Sequence, residues 1–267
     1  MLVQSPFHSA LAVIPGVGHA REMTNAASLD RPRLDGHVAL ITGVGRAGQV
    51  GATLARAFAE QGASVVLLGR DATELRARVD ELGAAGFAVS SHALDLTDVA
   101  AVDQVARLVG GVHGGALDTL VNVAGGFVMS GPVAESDPEA WHRQLSINLS
   151  TAYTATRAFL PILRKRRGSV VFFASAAALP GGRTAGMSAY AAAKSGIIAL
   201  ARAVADEERE AGVRANVLAP TSIRTAANVS DMGSDARYVE LDTIADTVLF
   251  LCSSAGRALT GQVIRLG

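Results

Sequence analysis

The sequence predicts an α/β protein in which a doubly wound parallel β-sheet of about seven strands carries helices on both faces. From residue 37 onward, short β-branched or aliphatic runs alternate with longer amphipathic segments, which is typical of alternating strands and helices. Such alternation forms right-handed βαβ units, so the strands run parallel and the helices cover both faces of the sheet. No linker interrupts the pattern, which indicates a single domain over residues 34–267.

The first half of this domain contains four predicted strands and three predicted helices. The strands are the apolar runs at residues 38–42, 64–68, 88–94 and 117–123. The helices are the amphipathic segments at residues 49–61, 72–82 and 97–109. Gly62 and Gly83 follow the first two helices where a C-terminal stop is expected. Thr97 or Asp98 is suited to cap the third helix.

The second half continues the pattern with three strands and three long helical segments. The strands are predicted at residues 169–174, 214–218 and 262–266, and the helices at residues 137–167 (one helix or a pair), 188–211 and 244–252. Asp137-Pro138 is typical of an N-cap followed by proline in the first turn. The basic run 164–167, followed by Gly168, fits a helix C-terminus better than a nucleic-acid-binding patch.

Composition excludes several classes of function. The 267 residues carry 24 basic and 24 acidic side chains, and this balance predicts neither nucleic acid nor a membrane as a partner. The single cysteine, Cys252, lies in an apolar run and excludes a disulfide scaffold, and the scattered histidines predict no metal site. No apolar run reaches the ~18 residues of a membrane-spanning helix, so we expect a soluble, cytoplasmic protein. Residues 1–33 lack hydrophobic periodicity and are expected to form a disordered tail.

A glycine-rich turn follows the first strand, in the sequence Thr42-Gly43-Val44-Gly45-Arg46-Ala47-Gly48-Gln49-Val50-Gly51. Gly43, Gly45 and Gly48 match G-x-G-x-x-G between a strand and a helix, which predicts a Rossmann-type dinucleotide site. The glycines let the backbone approach a pyrophosphate, and the N-terminus of the next helix offers free N–H groups to it. The alternative is a glycine-rich turn that only packs tightly.

The end of the second strand bears on the choice of cofactor. An acidic residue there binds the ribose 2′-hydroxyl of NAD, but this chain has Gly69 and then Arg70. Arg46, in the glycine turn, is placed to approach the same position. An arginine–phosphate contact is worth ~1.5–3 kcal/mol, which is enough to set a preference. We therefore expect NADP(H), with NAD(H) as the alternative if Asp71 takes the acidic position.

Tyr190 and Lys194 lie one turn apart on one face of a predicted helix. A neighbouring ammonium lowers the pKa of a phenol and brings it towards the range that is useful for proton transfer. The pair is therefore a candidate acid–base site. The alternative is a half-buried aromatic residue beside a solvated lysine.

The chain resembles the short-chain dehydrogenase/reductase family over about residues 34 to 267. The matching motifs occur in the family's order: Thr42-Gly43 with the glycine turn, Asp95-Leu96, Asn122-Val123-Ala124-Gly125, Asn148, Ser175, Tyr190 with Lys194, and Asn216-Val217-Leu218-Ala219-Pro220. The resemblance implies a nicotinamide dinucleotide cofactor, a small carbonyl or alcohol substrate, and a homodimer or homotetramer.

The resemblance also implies a role for each site residue. Tyr190 gives a proton to the carbonyl oxygen, while Lys194 lowers the pKa of Tyr190 and binds the nicotinamide ribose. Ser175 donates a hydrogen bond to the same oxygen, and Asn148 holds a water molecule that relays protons. Besides Arg46, Arg70, Tyr190 and Lys194, the implied cofactor-binding residues are Gly43, Gly45, Gly48, Gly51, Asp95, Leu96, Asn122, Ala124, Gly125, Thr221 and Ile223.

Four features depart from the family pattern. The glycine turn is about two residues longer than the family pattern if Gly51 is its last glycine. Either Gly48 or Gly51 is therefore the glycine at the start of the helix. Ser175 precedes Tyr190 by about two residues more than is usual, and Thr221 replaces the glycine that normally follows the proline at 220. The segment from Pro220 to the last helix is short, like the substrate lid of the dihydropteridine reductase branch.

The short lid predicts an open pocket for a compact or flat substrate, without a long acyl-binding groove. The expected function is an NADP(H)-dependent oxidoreductase that interconverts a carbonyl and an alcohol. Two alternatives stay open: a dinucleotide-binding sensor or scaffold without turnover, and a reductase of a C=N or C=C bond, as in pteridines.

Overall fold

The computed structural model describes residues 31–267, so residues 1–30 of the tail expected over residues 1–33 lie outside the described part. The strands are β1 (Val38–Thr42), β2 (Ser64–Gly69), β3 (Val89–Ala93), β4 (Thr119–Asn122), β5 (Ser169–Phe173), β6 (Arg214–Pro220) and β7 (Val263–Leu266). They form one sheet in the order β3-β2-β1-β4-β5-β6-β7, and every neighbouring pair is parallel. The predicted fold class is confirmed.

Eight α-helices connect or follow the strands in the described part of the chain. They are α1 (Val50–Glu60), α2 (Ala72–Ala84), α3 (Val99–Val112), α4 (Pro138–Leu145), α5 (Thr151–Leu163), α6 (Ser188–Glu207), α7 (Ala226–Met232) and α8 (Leu241–Cys252). Aspartates cap three of them, because a short carboxylate side chain reaches the free N–H groups of the first turn. These caps are Asp71 for α2, Asp98 for α3 and Asp137 for α4.

The long helix expected over residues 137–167 is interrupted. A π-helical turn, Ser146–Ser150, separates α4 from α5, and π-turns of this kind are frequent at functional sites. A 3₁₀ turn over Arg164–Arg166 then ends the segment at the basic run. Arg164 forms two hydrogen bonds with the buried Glu208, of 2.7 Å from Nε and 2.6 Å from Nη2. The basic run thus ends a helix, and one of its residues neutralises a buried carboxylate.

Two further boundaries differ from the sequence-based expectation. The short stretch after β6, expected to form an abbreviated lid, contains the helix α7, which was not predicted and is capped by Thr225. The helix α6 ends at Glu207, before the expected end at residue 211, and Gly212 then turns the chain with a positive φ of 74°. A left-handed residue cannot continue a helix, and glycine takes this conformation at little cost.

The sheet is buried on both faces. Alternate residues of each central strand point to opposite sides, so Leu40 packs with α3, α5 and α6, whereas Ile41 packs with α1, α2 and α8. Cys252 is buried in the second layer, where burial raises the pKa of its thiol to about 11. Within residues 31–267, no helix combines the length and the apolar character needed to cross a membrane.

The strand order reverses between β1 and β4, which makes this the switch point of the sheet. Connections leave β1 towards one side and β4 towards the other, so a crevice opens at the carboxyl ends of these strands. Ligands of doubly wound sheets bind in this crevice. A functional site is therefore expected next to Thr42 and Asn122, the last residues of the two strands.

Candidate active site

The ends of β1 and β4 are joined by one hydroxyl group. Thr42 Oγ1 accepts hydrogen bonds from the backbone N–H groups of Val123 (3.1 Å) and Ala124 (3.2 Å). These bonds hold the loop after β4 against the glycine turn. Gly43 has a positive φ of 70°, and a Cβ added there would lie 2.6 Å from the backbone of Ala124. Only glycine fits at this junction.

The glycines of the turn serve different purposes. Gly51, in the first turn of α1, has no room for a side chain, because an added Cβ would lie 2.7 Å from the Gly43 carbonyl oxygen. Gly48 has a positive φ of 71° and open space around it, and Gly45 also has no atom within 4 Å of an added Cβ. Gly48 therefore supplies the left-handed turn, and Gly51 is the glycine that packs at the start of the helix.

The turn leaves the N-terminus of α1 available to an anion. Gln49 precedes the helix without making a side-chain hydrogen bond to it. The first N–H groups of α1 thus lack a side-chain acceptor and lie behind the open backbone at Gly45. A cradle with close backbone packing on one side and open glycine backbone on the other fits the pyrophosphate of a dinucleotide.

At the end of β2, the two candidate cofactor-selecting residues behave differently. Asp71 Oδ1 accepts hydrogen bonds from the backbone N–H groups of Thr73 (2.9 Å) and Glu74 (3.1 Å), so its carboxylate caps α2. Arg70 is exposed, and Arg46 in the glycine turn is exposed as well. Of the two residues after Gly69, Asp71 is thus engaged in a helix cap, whereas the side chain of Arg70 is exposed to solvent.

The residues expected around the adenosine fall into an exposed group and a buried group. Asp95 is exposed; hydrogen bonds from Thr97 lower the pKa of its carboxyl, and the charge of Arg70 lowers it further. Leu96 is buried and belongs to the core. Asn122 is only 4% exposed and donates a 3.0 Å hydrogen bond to Thr156 Oγ1 of α5. Its side chain thus holds α5 to the end of β4.

Tyr190 and Ser175 come together at the carboxyl edge of β5. Ser175 follows the strand and accepts a 3.3 Å hydrogen bond from the Ala177 N–H, and its hydroxyl group lies close to that of Tyr190. Burial raises the pKa of Tyr190, and the nearby Ser175 hydroxyl lowers it in part. The net shift is upward, so the phenol is held in its protonated form.

Lys194 lies beside Tyr190 and is engaged by the backbone of β5. Lys194 is 6% exposed, and its ammonium donates a 2.8 Å hydrogen bond to the Phe173 carbonyl oxygen and lies 5.6 Å from the Tyr190 ring centroid. Burial lowers the pKa of Lys194 to about 8. Burial of the phenol is the largest cause of the shift at Tyr190 and raises its pKa, so the lowering expected from Lys194 stays a prediction.

Asn148 lies in the π-helical turn and locks the loop after β4. Its Nδ2 donates to the carbonyl oxygens of Gly126 (2.8 Å) and Gln144 (3.1 Å), and its Oδ1 accepts from the Gly126 N–H (3.2 Å). A Cβ added at Gly125 would lie 2.6 Å from Asn148 Oδ1 and 3.5 Å from Lys194 Nζ. The amide protons of Asn148 are thus used by the protein, and the expected water relay stays a prediction.

The sequence did not single out Phe127 as a site residue. Its ring meets the ring of Tyr190 edge to face, with centroids 5.0 Å apart and an interplanar angle of 83°. Phe127 opens an apolar triplet, Phe127-Val128-Met129, that follows two glycines outside any strand or helix. The sequence signal that could have indicated Phe127 is this apolar run in a loop, which follows the strand with the cofactor motif.

The lid between β6 and α8 folds back on itself. Ile223 pairs with Val239 in a bridge, and the Tyr238 hydroxyl donates a 2.7 Å hydrogen bond to the Gly233 carbonyl oxygen. Arg224 lies over the Tyr238 ring at 4.7 Å. Thr221, expected near the nicotinamide, is exposed and ties β6 to β7 through a 2.9 Å backbone hydrogen bond to Leu266. The lid is thus short and closed at its base.

Comparisons with known proteins agree with this geometry. A family model described as short chain dehydrogenase matches residues 37–234. A subunit of (2S)-[(R)-hydroxy(phenyl)methyl]succinyl-CoA dehydrogenase from Thauera aromatica is 34% identical over 86% of this chain and 95% of its own length. D-beta-hydroxybutyrate dehydrogenase from Cupriavidus necator is also 34% identical, over 86% of this chain and 96% of its own.

The solved structures give the same result. A short-chain type dehydrogenase/reductase from Mycobacterium ulcerans superposes with a TM-score of 0.80 at 30% identity, covering 88% of this chain and 89% of its own. The match thus extends over both the sequence and the fold. The chain belongs to the short-chain dehydrogenase/reductase family and is an oxidoreductase of alcohols or carbonyls that uses a nicotinamide dinucleotide.

Proposed function

We propose that this protein is an NADP(H)-dependent oxidoreductase that interconverts a carbonyl and an alcohol on a compact substrate, with Tyr190 as the proton donor and acceptor. One observation carries the proposal: the hydroxyl groups of Tyr190 and Ser175 lie close together at the carboxyl edge of the sheet, with Lys194 buried one helical turn away. Two hydroxyl groups that meet at one point are suited to bind a single substrate oxygen.

The bound dinucleotide supplies or accepts the hydride. Because burial holds the pKa of Tyr190 above its ordinary value of 10.0, the phenol is protonated at neutral pH and can donate its proton to a substrate oxygen. Ser175 donates a second hydrogen bond to that oxygen and stabilises the charge that develops on it. Lys194, with a pKa of about 8, is mostly charged at neutral pH and favours the phenolate left on Tyr190.

Acid–base catalysis by Tyr190 is tested by removing its hydroxyl. Tyr190→Phe is expected to bind NADPH as the unmodified protein does and to lower turnover of ketones about 10²- to 10⁴-fold. Tyr153→Phe, which removes the same atom from an exposed tyrosine on α5, is the matched control and should keep full turnover. The measurement is NADPH oxidation with a panel of ketones and pterins. A Tyr190→Phe variant that keeps more than about a tenth of the turnover would refute the assignment.

The preference for NADP(H) rests on Arg70 and Arg46 being exposed while Asp71 caps α2. We expect Arg70→Ala to weaken NADPH binding by about tenfold or more and NADH binding by less than about twofold. Arg202→Ala, at an exposed position of α6, is the control. Titration calorimetry gives both dissociation constants, and tighter binding of NADH than of NADPH by the unmodified protein would overturn the preference.

Three expectations from the sequence stay predictions: the protein forms a homodimer or homotetramer, it is located in the cytoplasm, and its partner is a small-molecule substrate. The likeness of the lid to the dihydropteridine reductase branch is likewise a prediction, and the folded-back lid base at Ile223 and Val239 is compatible with a small, open pocket. Size-exclusion chromatography with light scattering tests the assembly directly.

A further inference from the structure

An exposed apolar surface adjoins the candidate acid–base residue. Phe127, Val128 and Met129 are 53%, 56% and 57% exposed, although each has a large apolar side chain. They follow Gly126 and precede Ser130 and Gly131, so no charged residue interrupts the segment. Contiguous exposed apolar side chains at the rim of a site are typical of a surface that binds a ligand.

Phe127 packs against Tyr190 and still faces solvent. The two rings meet edge to face with centroids 5.0 Å apart, an arrangement that aromatic pairs favour. About half of the Phe127 side chain stays exposed in this contact. One part of the ring thus fixes its position on Tyr190, while the other is free to contact whatever the Tyr190 hydroxyl binds.

The loop that carries Phe127 is held at both ends. At its start, Gly126 exchanges two hydrogen bonds with the side chain of Asn148. At its end, the Gly186 carbonyl oxygen accepts from the Ser130 N–H (2.7 Å), the Ser130 Oγ (3.2 Å) and the Gly131 N–H (3.1 Å). Gly186 lies just before α6, the helix of Tyr190. The ring is therefore positioned before a substrate arrives, which lowers the entropy lost on binding.

Resting on the function proposed above, we propose that Phe127 is a substrate-positioning and specificity-determining residue that packs against a flat, uncharged substituent on the reacting carbonyl carbon. The substrate class is accordingly aryl-substituted ketones and the matching secondary alcohols. A planar group lies on an aromatic side chain with a larger contact than a puckered ring of equal size. Val128 and Met129 extend the apolar surface, and Met side chains adapt to different shapes.

The test compares two ketones with equal numbers of carbon atoms. Acetophenone carries a flat ring and cyclohexyl methyl ketone a puckered one. In Phe127→Ala, kcat/KM for acetophenone is expected to fall about tenfold, and that for cyclohexyl methyl ketone less than about threefold. Phe127→Tyr keeps the ring and should restore the ratio of the two values. Phe250→Ala removes a 41% exposed phenylalanine from α8 and is the matched control.

The selectivity ratio separates positioning from structural damage. A loss that is equal for both ketones, or no loss, overturns the inference, because a general disturbance of the site does not distinguish flat from puckered rings. If the unmodified protein reduces neither ketone with either dinucleotide, the proposed function fails, and equilibrium binding then decides the inference. Calorimetry should show acetophenone binding about tenfold more weakly to Phe127→Ala in the presence of dinucleotide; equal binding to both proteins overturns it.

Discussion

Gly51 and Gly45 allow the two functions of the glycine turn to be separated by substitution. A Cβ added at Gly51 would lie 2.7 Å from the Gly43 carbonyl oxygen and 3.0 Å from the Val44 Cα, both of them backbone atoms that cannot rotate away. A Cβ added at Gly45 has no atom within 4 Å, and its backbone has no positive φ. Gly51→Ala is therefore expected to strain the fold, and Gly45→Ala is expected to leave it unchanged.

The size of the strain follows from these distances. Ordinary contacts of a Cβ begin near 3.4 Å, so the first turn of α1 must move by several tenths of an ångström. Overpacking of this kind costs about 1–3 kcal/mol. In a domain of this size, about 2 kcal/mol lowers the melting temperature by roughly 4–8 °C.

Two assays on each variant complete the comparison. Urea unfolding without dinucleotide should show lower stability for Gly51→Ala and unchanged stability for Gly45→Ala. Calorimetry with NADPH should show weaker binding by Gly45→Ala, because its new methyl group occupies the open side of the turn that a pyrophosphate would approach. If Gly45→Ala binds the dinucleotide normally, the turn only packs, and the cofactor assignment is refuted.

Three further predictions concern other parts of the molecule. The pKa of Lys194 is lowered from 10.5 to about 8, so between these pH values the unfolded chain binds more protons than the folded one. The free energy of unfolding should therefore rise by about 1–2 kcal/mol from pH 8 to pH 9.5. Urea titrations at each pH should show this rise in the unmodified protein and not in Lys194→Met. Arg164→Ala leaves the carboxylate of Glu208 buried without its partner and should lower the free energy of unfolding by about 1–2 kcal/mol. This is less than for a fully buried pair, because half of the Arg164 side chain is exposed. An unchanged midpoint of urea unfolding would contradict this. Tyr238→Phe removes the hydrogen bond to the Gly233 carbonyl oxygen and should speed limited proteolysis of the lid, and equal cleavage rates would count against a lid held at its base.

The elements that could be predicted are those whose signal is local. Strands such as β1, β2 and β5 are short apolar runs buried on both faces, and three of the helices begin after an aspartate cap, such as Asp71 or Asp137. The helix α7 was not predicted, because it is only seven residues long and none of its side chains is buried in the core, so it shows no apolar periodicity. The π-helical turn was not predicted either, since one extra residue in a helix leaves the composition unchanged.

The candidate site shows the same division. The one-turn spacing of Tyr190 and Lys194 places both on one helix face, and the structure brings Ser175 to them. The spacing contains no information on depth, so neither the burial of Lys194 nor the competing carbonyl of Phe173 was predictable. Phe127 reaches Tyr190 through a loop, and the path of a loop depends on its anchors at distant positions of the chain.

The π-helical turn, Ser146–Ser150, changes the direction in which the residues of α5 point relative to those of α4. An additional residue rotates everything after it by about 100° relative to an uninterrupted α-helix. The segment before the turn packs against α6, whereas α5 faces the sheet and α3. Asn148, located inside the turn, is thereby aimed at Gly126. Deleting a single amino acid between residues 146 and 150 would restore a regular α-helix. Either the Asn148 amide or the sheet-facing side of α5 would then point in the wrong direction. This stretch should therefore tolerate a change of length far less well than a substitution.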